Sequence, residues 1–321
     1  MTNGPYNDTA AGLSRRRSDF ELRRDTEFSW QHLRERVVVS TLFAAASVAT
    51  LTTVAIFLTL TYNGWEFFSV VPMREFLLGT DWAPDFIPRS FGSLPLIKGT
   101  FQIALGALVV GLPLGVGSAL YISEFAPERL RTILKPAIEI LAGIPSIVFG
   151  LVALFVISPI IRQLFPGTGV FNAASAAIAL GVMVVPVIAA ISEDALRAVP
   201  RELREGAFAL GATRWEAAWN VVLPAARSGV IASVILGFSR AIGETMAVTL
   251  AAGLIPNMSW NFLEPTQTIT AFIANRAGGD LPTGSIEYRA IFALGLILFV
   301  ITFVINLIAQ FSLAAQRRKF A

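Results

Sequence analysis

Residues 173–226 read AASAAIALGVMVVPVIAAISEDALRAVPRELREGAFALGATRWEAAWNVVLPAA. The first part, 173–191, is an apolar run, and about 20 apolar residues are enough to cross a bilayer as a helix. The second part, 192–226, carries charged residues along its length, which are costly to place in hydrocarbon. The stretch therefore predicts a membrane span that leads into a long hydrophilic loop.

The composition of the whole chain is typical of a membrane protein. Hydrophobic residues make up 55% of its 321 residues, charged residues only 15%, and the mean hydropathy is +0.66. A soluble domain carries about 25% charged residues. A membrane β-barrel would show short alternating segments, whereas the apolar runs here are long and continuous. We therefore predict an all-α integral membrane fold with six transmembrane helices.

Further apolar runs on both sides of 173–191 predict the other spans. The chain is predicted to comprise an N-terminal tail, a first span, a linker, a core of five spans and a C-terminus, at 1–36, 37–62, 63–96, 97–312 and 313–321. The core spans are predicted at 97–123, 137–160, 173–191, 227–254 and 290–312. Lys135 and Glu139, four residues apart near the third span, are predicted to form a local ion pair.

Basic residues are distributed unevenly between the loops. The N-terminal tail, the 124–135 turn, the 192–227 stretch and the C-terminus hold 18 of the 25 Lys and Arg residues. Because positively charged loops stay inside, both termini and the 192–226 loop are predicted to be cytoplasmic, and the 63–96 linker extracytoplasmic. The same loops account for the sequence pI of about 9.6, so we predict no nucleic-acid partner.

The hydrophilic loop contains a spaced motif: Glu205-Gly206-Ala207, three residues, Gly211, nine residues, Val221, one residue and Leu223-Pro224. Short helices are predicted at 202–210 and 213–222, since Gly readily adopts the left-handed conformation that ends a helix. The motif resembles the EAA loop of binding-protein-dependent ABC importer permeases, from which it departs only by Gly206. A cytoplasmic hairpin that merely caps the helix bundle is the alternative.

The resemblance implies a type I ABC importer permease (MetI-like) fold. It also implies that the loop couples to an ATP-hydrolysing subunit through Glu205, Gly206, Ala207, Gly211, Leu223 and Pro224. The chain has no G-x-x-x-x-G-K-[ST] phosphate loop, so we predict that it is not an enzyme. No cofactor is expected in this chain, and ATP with Mg is expected in the partner ATPase subunit.

An arginine and a glutamate interrupt the predicted fifth span. Arg240 lies about 14 residues into it, or roughly 20 Å of helical rise, and Glu244 follows one turn later on the same face. An Arg at the bilayer centre costs roughly 2.5–3.5 kcal/mol, which favours a functional role. Either the pair fixes helix packing, or Arg240 meets an anionic substrate while Glu244 orients the guanidinium.

The segment Ser239–Val248, SRAIGETMAV, resembles the matching segment of PstC-type phosphate-importer permeases. Residues 94–100 and 121–146 resemble the same family, and the likeness covers roughly 90–312. It implies that Arg240 and Glu244 bind the substrate, phosphate. The implied partners are a homologous PstA-type permease, a dimer of ATPase subunits and an extracytoplasmic phosphate-binding protein, together with lipid of a bacterial inner (plasma) membrane.

Three other functions stay open. A permease of a related oxyanion importer, for sulfate, molybdate or phosphonate, differs only in its substrate. A self-contained secondary transporter often shows paired inverted repeats, which are not evident here. An intramembrane enzyme has little support, because one His and no Cys predict no catalytic residue and no metal site.

Overall fold

The computed structural model describes residues 8–279, 282 and 284–317, with side chains described from Arg34 onward except at 309 and 312–317. Parts of the predicted tail and C-terminus, 1–7 and 318–321, lie outside the described residues. The chain divides into two units after Thr59, and residues 8–59 form the first part of one continuous helix, α1 (Asp8–Phe68). The second unit, from Leu60, holds all the other elements described below.

Thirteen further helices occur in the described residues: α2 (Met73–Leu78), α3 (Leu94–Leu120), α4 (Glu128–Ala142), α5 (Ser146–Val152), α6 (Ser158–Leu164), α7 (Ala173–Arg197), α8 (Arg201–Ala209), α9 (Arg214–Ala217), α10 (Leu223–Ala225), α11 (Arg227–Ile242), α12 (Met246–Ala251), α13 (Ile269–Ala277) and α14 (Ile286–Arg317). Three π-helical turns connect or extend them. Tyr121–Phe125 prolongs α3, Ala153–Ile157 joins α5 to α6, and Ala218–Val222 joins α9 to α10.

Five segments are long and apolar enough to cross a membrane: Arg34–Phe68, Leu94–Phe125, Ser146–Leu164, Ala173–Arg197 and Ile286–Ile308. A sixth span is obtained when Arg214–Ala225 and Arg227–Ile242, bent by 73°, are counted together. The strands in the described residues are β1 (Trp82–Ala83) and β2 (Ser90–Phe91), paired antiparallel with Trp82 opposite Phe91. The predicted helical membrane fold is confirmed.

Helix α7 packs closely against α3 and α11 because small residues line these contacts. A Cβ on Gly181 would lie 2.7 Å from Val110 Cβ, and one on Gly229 would lie 2.2 Å from Ala195 Cβ. Membrane helices associate through such close van der Waals contact, since lipid supplies no hydrophobic drive between them. Large apolar side chains fill the remaining space, among them Ile103, Leu180, Val184, Ile188 and Ile242.

The predicted third span, 137–160, is wrong in its first part. Helix α4 ends at Ala142, and the membrane-spanning segment begins only at Ser146. Pro145 cannot donate a backbone hydrogen bond and biases Ile144 away from helical geometry, so the two helices are separated. No residue of α4 is buried, and the helix carries five charged side chains, which places it outside the apolar spans.

The predicted linker, 63–96, is largely folded. Helix α1 continues to Phe68, then α2 and the β1–β2 hairpin follow, and α3 begins at Leu94. Edge-to-face aromatic contacts, with ring centroids 5.0–6.2 Å apart, hold this region together through Phe67, Phe76, Trp82, Phe91 and Phe272. Because Phe272 belongs to α13, the aromatic cluster ties the linker to a distant part of the chain.

Candidate functional site

The fifth predicted span is broken close to its charged residues. Helix α11 ends at Ile242, residues 243–245 are not helical, and α12 begins at Met246. At 16 residues, α11 rises about 24 Å, which is less than the roughly 30 Å of a hydrocarbon core. The predicted continuous helix over 227–254 is therefore wrong, because residues 243–245 interrupt it.

Glu244 lies in this break, so it does not share a helical face with Arg240. Its carboxylate accepts a hydrogen bond from the backbone N–H of Ala247 at 3.2 Å, and its carbonyl accepts one from the Thr270 hydroxyl at 2.7 Å. Glu244 thus satisfies a free donor at the start of α12 and connects the break to α13. The predicted geometry, in which one helical turn brings the two charges together, is wrong.

Arg240 occupies the last turn of α11 and is exposed. In the part of the chain that the structure describes, its guanidinium has no hydrogen bond and no ion pair within 4.0 Å. The neighbouring Ser239 hydroxyl donates to Asn306 Oδ1 at 3.3 Å and holds this turn against α14. Arg240 therefore presents a planar fork of N–H donors at the C-terminal end of α11, beside the break, where an anion can be bound.

The predicted coupling loop forms a helical hairpin. Helices α8 and α9 are separated by Gly211, whose φ of +86° is a conformation that favours glycine. Thr213 starts α9 with a capping box, in which its hydroxyl accepts from the Glu216 backbone N–H at 3.3 Å and its backbone N–H donates to the Glu216 carboxylate at 2.8 Å. The Thr213 hydroxyl also donates to that carboxylate at 2.8 Å.

The residues of the spaced motif differ in exposure. Glu205, Gly206, Gly211 and Pro224 are exposed, Leu223 is half-buried and Ala207 is buried. Trp215 and Trp219 stack at 5.6 Å between ring centroids, and each is more than half exposed. The hairpin therefore offers an apolar surface flanked by charge, which is suited to docking another protein.

A half-buried ion pair anchors this hairpin to the bundle. Arg204 donates to both carboxylate oxygens of Glu124 at 3.0 and 3.2 Å, and to the carbonyls of Val199 and Leu196 at 2.6 and 2.8 Å. Glu124 belongs to the π-helical turn that ends the second span. Sequence reasoning did not find this contact, because 80 residues separate the partners and no local spacing relates them.

Lys135 forms ion pairs with α7 instead of the predicted pair with Glu139. Its ammonium lies 2.7 Å from Glu193 Oε2 and 3.1 Å from Asp194 Oδ1. Glu193 is almost fully buried and also accepts from Arg197 at 3.3 Å. The hydrogen bonds to Glu193 and Asp194 raise the pKa of Lys135 above its usual value.

Comparison with known proteins agrees with these features. Residues 111–321 match the family described as binding-protein-dependent transport system inner membrane component. The chain is 38% identical over 265 residues to the phosphate transport system permease protein PstC of Xylella fastidiosa strain Temecula1, covering 76% of this chain and 80% of that protein. It is 33% identical over 325 residues to PstC of Pasteurella multocida strain Pm70, covering 93% and 98%.

A solved structure shows the same fold. A bacterial ABC transporter involved in the import of the acidic polysaccharide alginate matches with a TM-score of 0.58 and 17% identity, over 89% of this chain and 99% of that one. At this identity the likeness concerns architecture alone. The sequence relatives are more specific, and the family match over residues 111–321 includes both the EAA-like loop and the broken span. The chain belongs to the binding-protein-dependent transport system inner membrane components and, within them, to the PstC-type permeases.

Proposed function

We propose that this chain is the transmembrane permease subunit of an ATP-driven phosphate importer. Its PstC relatives are named for phosphate transport. The observation that carries the proposal is Arg240, which is exposed in the last turn of α11 and has no anionic partner in the described residues. An anion that crosses a bilayer needs a compensating charge, and the planar donors of a guanidinium match the oxygens of phosphate.

In this proposal, the phosphate pathway runs between this chain and a second permease. Arg240 is exposed on the isolated chain, and an Arg that faces lipid at the bilayer centre costs roughly 2.5–3.5 kcal/mol. A homologous PstA-type subunit that covers this surface removes the arginine from lipid and leaves a polar path for the anion. This chain then supplies half of the translocation pathway.

The other partners follow from the orientation that the basic residues favour. With both termini and the α8–α10 hairpin in the cytoplasm, a dimer of ATPase subunits, which binds ATP with Mg, docks on the exposed motif residues and Trp215–Trp219. The 252–268 loop, between α12 and α13, then lies on the outer side with the 69–93 region. An extracytoplasmic phosphate-binding protein docks on that side.

The hairpin is connected to Arg240 through consecutive helices, so a displacement of the hairpin also displaces Arg240. Helices α9 and α10 lead through Ala226 into α11, which bears Arg240 in its last turn. The Arg204–Glu124 pair joins α8 to the end of α3. Closure of the ATPase dimer therefore displaces α11 and α3 together and exposes the arginine alternately to the two sides.

The test is ATP-dependent uptake of labelled phosphate into proteoliposomes that hold the full importer complex. We expect Arg240→Gln to abolish uptake while the assembled complex still hydrolyses ATP. Arg227→Gln, at the start of the same helix, is the matched control and is expected to transport phosphate. Unchanged uptake in Arg240→Gln would make this arginine a packing residue and contradict the proposal.

A related oxyanion is the second candidate substrate, since an exposed guanidinium binds sulfate, molybdate or phosphonate by the same donors. Excess sulfate, molybdate or phosphonate is therefore added in the same assay with the wild-type complex. Strong competition by one of these anions would reassign the substrate to it. Uptake without any ATPase subunit would instead support a self-contained secondary transporter.

A further inference from the structure

Lys98, in the first part of α3, is a buried cation outside the proposed phosphate pathway. Only 5% of the residue is exposed. Its ammonium donates to Gln102 Oε1 at 3.0 Å, Asn257 Oδ1 at 2.8 Å and the Ser259 carbonyl at 2.5 Å, with Thr266 Oγ1 at 3.5 Å. No carboxylate oxygen of the described residues lies within 4.0 Å of it.

Most of the hydrogen-bond acceptors around Lys98 lie in one loop. Asn257, Ser259 and Thr266 all belong to the 252–268 loop, which joins α12 to α13. Inside the loop, Asn257 accepts from the backbone N–H of Ser259 and donates to the Pro265 carbonyl. A lysine ammonium has three N–H donors. The Lys98 side chain can therefore donate to Gln102 and to two acceptors of the loop, Asn257 and Ser259, at the same time.

The next two residues of α3 hold the end of the same loop. A Cβ on Gly99 would lie 2.3 Å from the Gln267 carbonyl oxygen, so only glycine allows this approach. The Thr100 hydroxyl accepts a hydrogen bond from the backbone N–H of Ile269 at 3.1 Å. The turn 98–100 therefore fixes both the middle of the loop and the first residue of α13.

Helix α13 in turn holds the break in the fifth span. The Thr270 hydroxyl donates to the Glu244 carbonyl at 2.7 Å, and Ile269 beside it is fully buried. Glu244 is two residues beyond the end of α11, which carries Arg240. A continuous series of contacts thus leads from Lys98 through the loop and α13 to the segment that positions the exposed arginine.

We propose that Lys98 is a positioning residue for transport, which clamps the 252–268 loop on α3 and thereby holds, through Thr270, the break that places Arg240. The inference rests on the proposed phosphate function. An ionisable residue in a membrane helix is expensive and is retained for a use. Here the use is mechanical, because its partners are neutral oxygens and none is a substrate-facing carboxylate. Displacement of the loop from the outer side is then transmitted to Arg240.

Four single variants of the full importer complex test the clamp by phosphate uptake, with KM and maximal rate measured separately and complex assembly quantified. Lys98→Met removes the clamp, and Thr270→Val removes the contact with Glu244. Thr302→Val is the matched control, since that hydroxyl bonds only to backbone carbonyls of its own helix, Leu298 and Phe299. Gln102→Glu keeps an oxygen acceptor for Lys98 and adds a negative charge that neutralises the lysine. The substitution removes no hydrogen bond, because Gln102 Nε2 has no partner in the described structure.

We expect Lys98→Met and Thr270→Val each to lower the maximal uptake rate by about tenfold, with unchanged assembly. The double variant is expected to be no worse than about twofold below Lys98→Met, because both changes break one series of contacts. Gln102→Glu and Thr302→Val are expected to transport like the wild type.

Several outcomes would overturn the clamp. If the double variant loses uptake rate by the product of the two single losses, Lys98 and Thr270 act independently. Wild-type uptake by Lys98→Met would show that Lys98 has no role in transport. A loss in Gln102→Glu as large as in Lys98→Met would assign the role to charge instead of contact. If Lys98→Met does not assemble, Thr270→Val decides, since uptake equal to Thr302→Val contradicts the proposal. Absence of uptake in the wild-type complex would instead refute the phosphate function itself.

Discussion

The Glu244 carboxylate is bonded to the backbone N–H of Ala247 at 3.2 Å, and it forms no ion pair with Arg240 although only four residues separate them. The break at 243–245 is the cause, because it removes the helical turn that would stack the two side chains. The Glu244 carboxylate thereby accepts a hydrogen bond at the start of α12, and the Arg240 guanidinium is left exposed. An arginine without a counter-charge, in the last turn of α11 beside the break, is the feature on which the proposed anion pathway depends.

Substitution of Glu244 separates a capping role from a charge-pairing role. Glu244→Gln is expected to keep the bond to Ala247, since an amide oxygen also accepts, whereas Glu244→Ala is expected to cost about 1 kcal/mol. Thermal unfolding of the purified complex measures both. Equal destabilisation by the two variants would show that the negative charge matters more than the hydrogen bond.

Arg240→Lys tests whether the shape of the cation matters. Lysine keeps the charge but loses the planar fork of donors, so we expect the KM for phosphate to rise by about tenfold, with the complex still assembled. Uptake kinetics in proteoliposomes provide the measurement. Wild-type KM in this variant would mean that a point charge is sufficient.

Two glycines of the coupling loop are expected to respond in opposite ways to alanine. A Cβ on Gly206 would meet nothing within 4 Å, so Gly206→Ala should leave the fold intact or stabilise α8 by up to about 1 kcal/mol. Gly211 has a φ of +86°, and Gly211→Ala is expected to cost about 1–2 kcal/mol. Unfolding of the complex and phosphate-stimulated ATP hydrolysis are measured together. Loss of phosphate-stimulated ATP hydrolysis in a stable Gly206→Ala variant would show that the ATPase subunit packs where the added Cβ would lie.

Lys135 is expected to stabilise the junction of α4 and α7. Lys135→Met leaves the buried Glu193 with Arg197 alone and should cost about 1–3 kcal/mol. Asp194→Asn is the matched control, because Asp194 is 71% exposed and its loss should change stability by no more than about 0.5 kcal/mol. A similar loss in both variants would contradict this assignment.

The same lysine predicts a pH dependence. Its hydrogen bonds to Glu193 and Asp194 raise the pKa of Lys135, so the charged form is favoured in the folded state. The associated stability is fully present below about pH 10.5, the ordinary lysine value, and is lost as the pH rises through the folded-state pKa. Unfolding scans from pH 8 upward, over roughly three units, are expected to show an alkaline loss that Lys135→Met lacks. Identical alkaline profiles would exclude the linkage.

Gly99 and Gly117 provide a matched pair within α3. Gly99→Ala would place a methyl group 2.3 Å from the Gln267 carbonyl oxygen, and we expect a cost of about 1–3 kcal/mol from the forced shift. A Cβ on Gly117 meets nothing within 4 Å, so Gly117→Ala should change stability by no more than about 1 kcal/mol. Thermal unfolding compares them, and equal stability of the two variants would disprove the close approach.

Much of the fold can be predicted from the sequence, because the free energy of membrane insertion is summed over consecutive residues. The run at 173–191 belongs to one helix, α7, although α7 extends to Arg197. The errors occur where polar residues and breaks compete with apolar runs, as at Pro145 and at 243–245. Composition over a window of 20 residues cannot detect a break of three.

The candidate site could be predicted only in part. Arg240 and the coupling loop were found because their spacing lies within one stretch of chain, and their roles stay predictions. The contacts of Glu244, Lys98 and Lys135 were not found, since their partners in α13, the 252–268 loop and α7 are distant in sequence.

A helical membrane permease is already specified at the level of the sequence, because apolar run length and motif spacing are local properties of the chain. The partner of each charged side chain, in contrast, is set by the packing of the helices and loops. Lys135 meets Glu193 across 58 residues and Lys98 meets Asn257 across 159, whereas Arg240 meets no counter-charge in the described chain. Those outcomes depend on how helices pack and where they break, which no local pattern specifies.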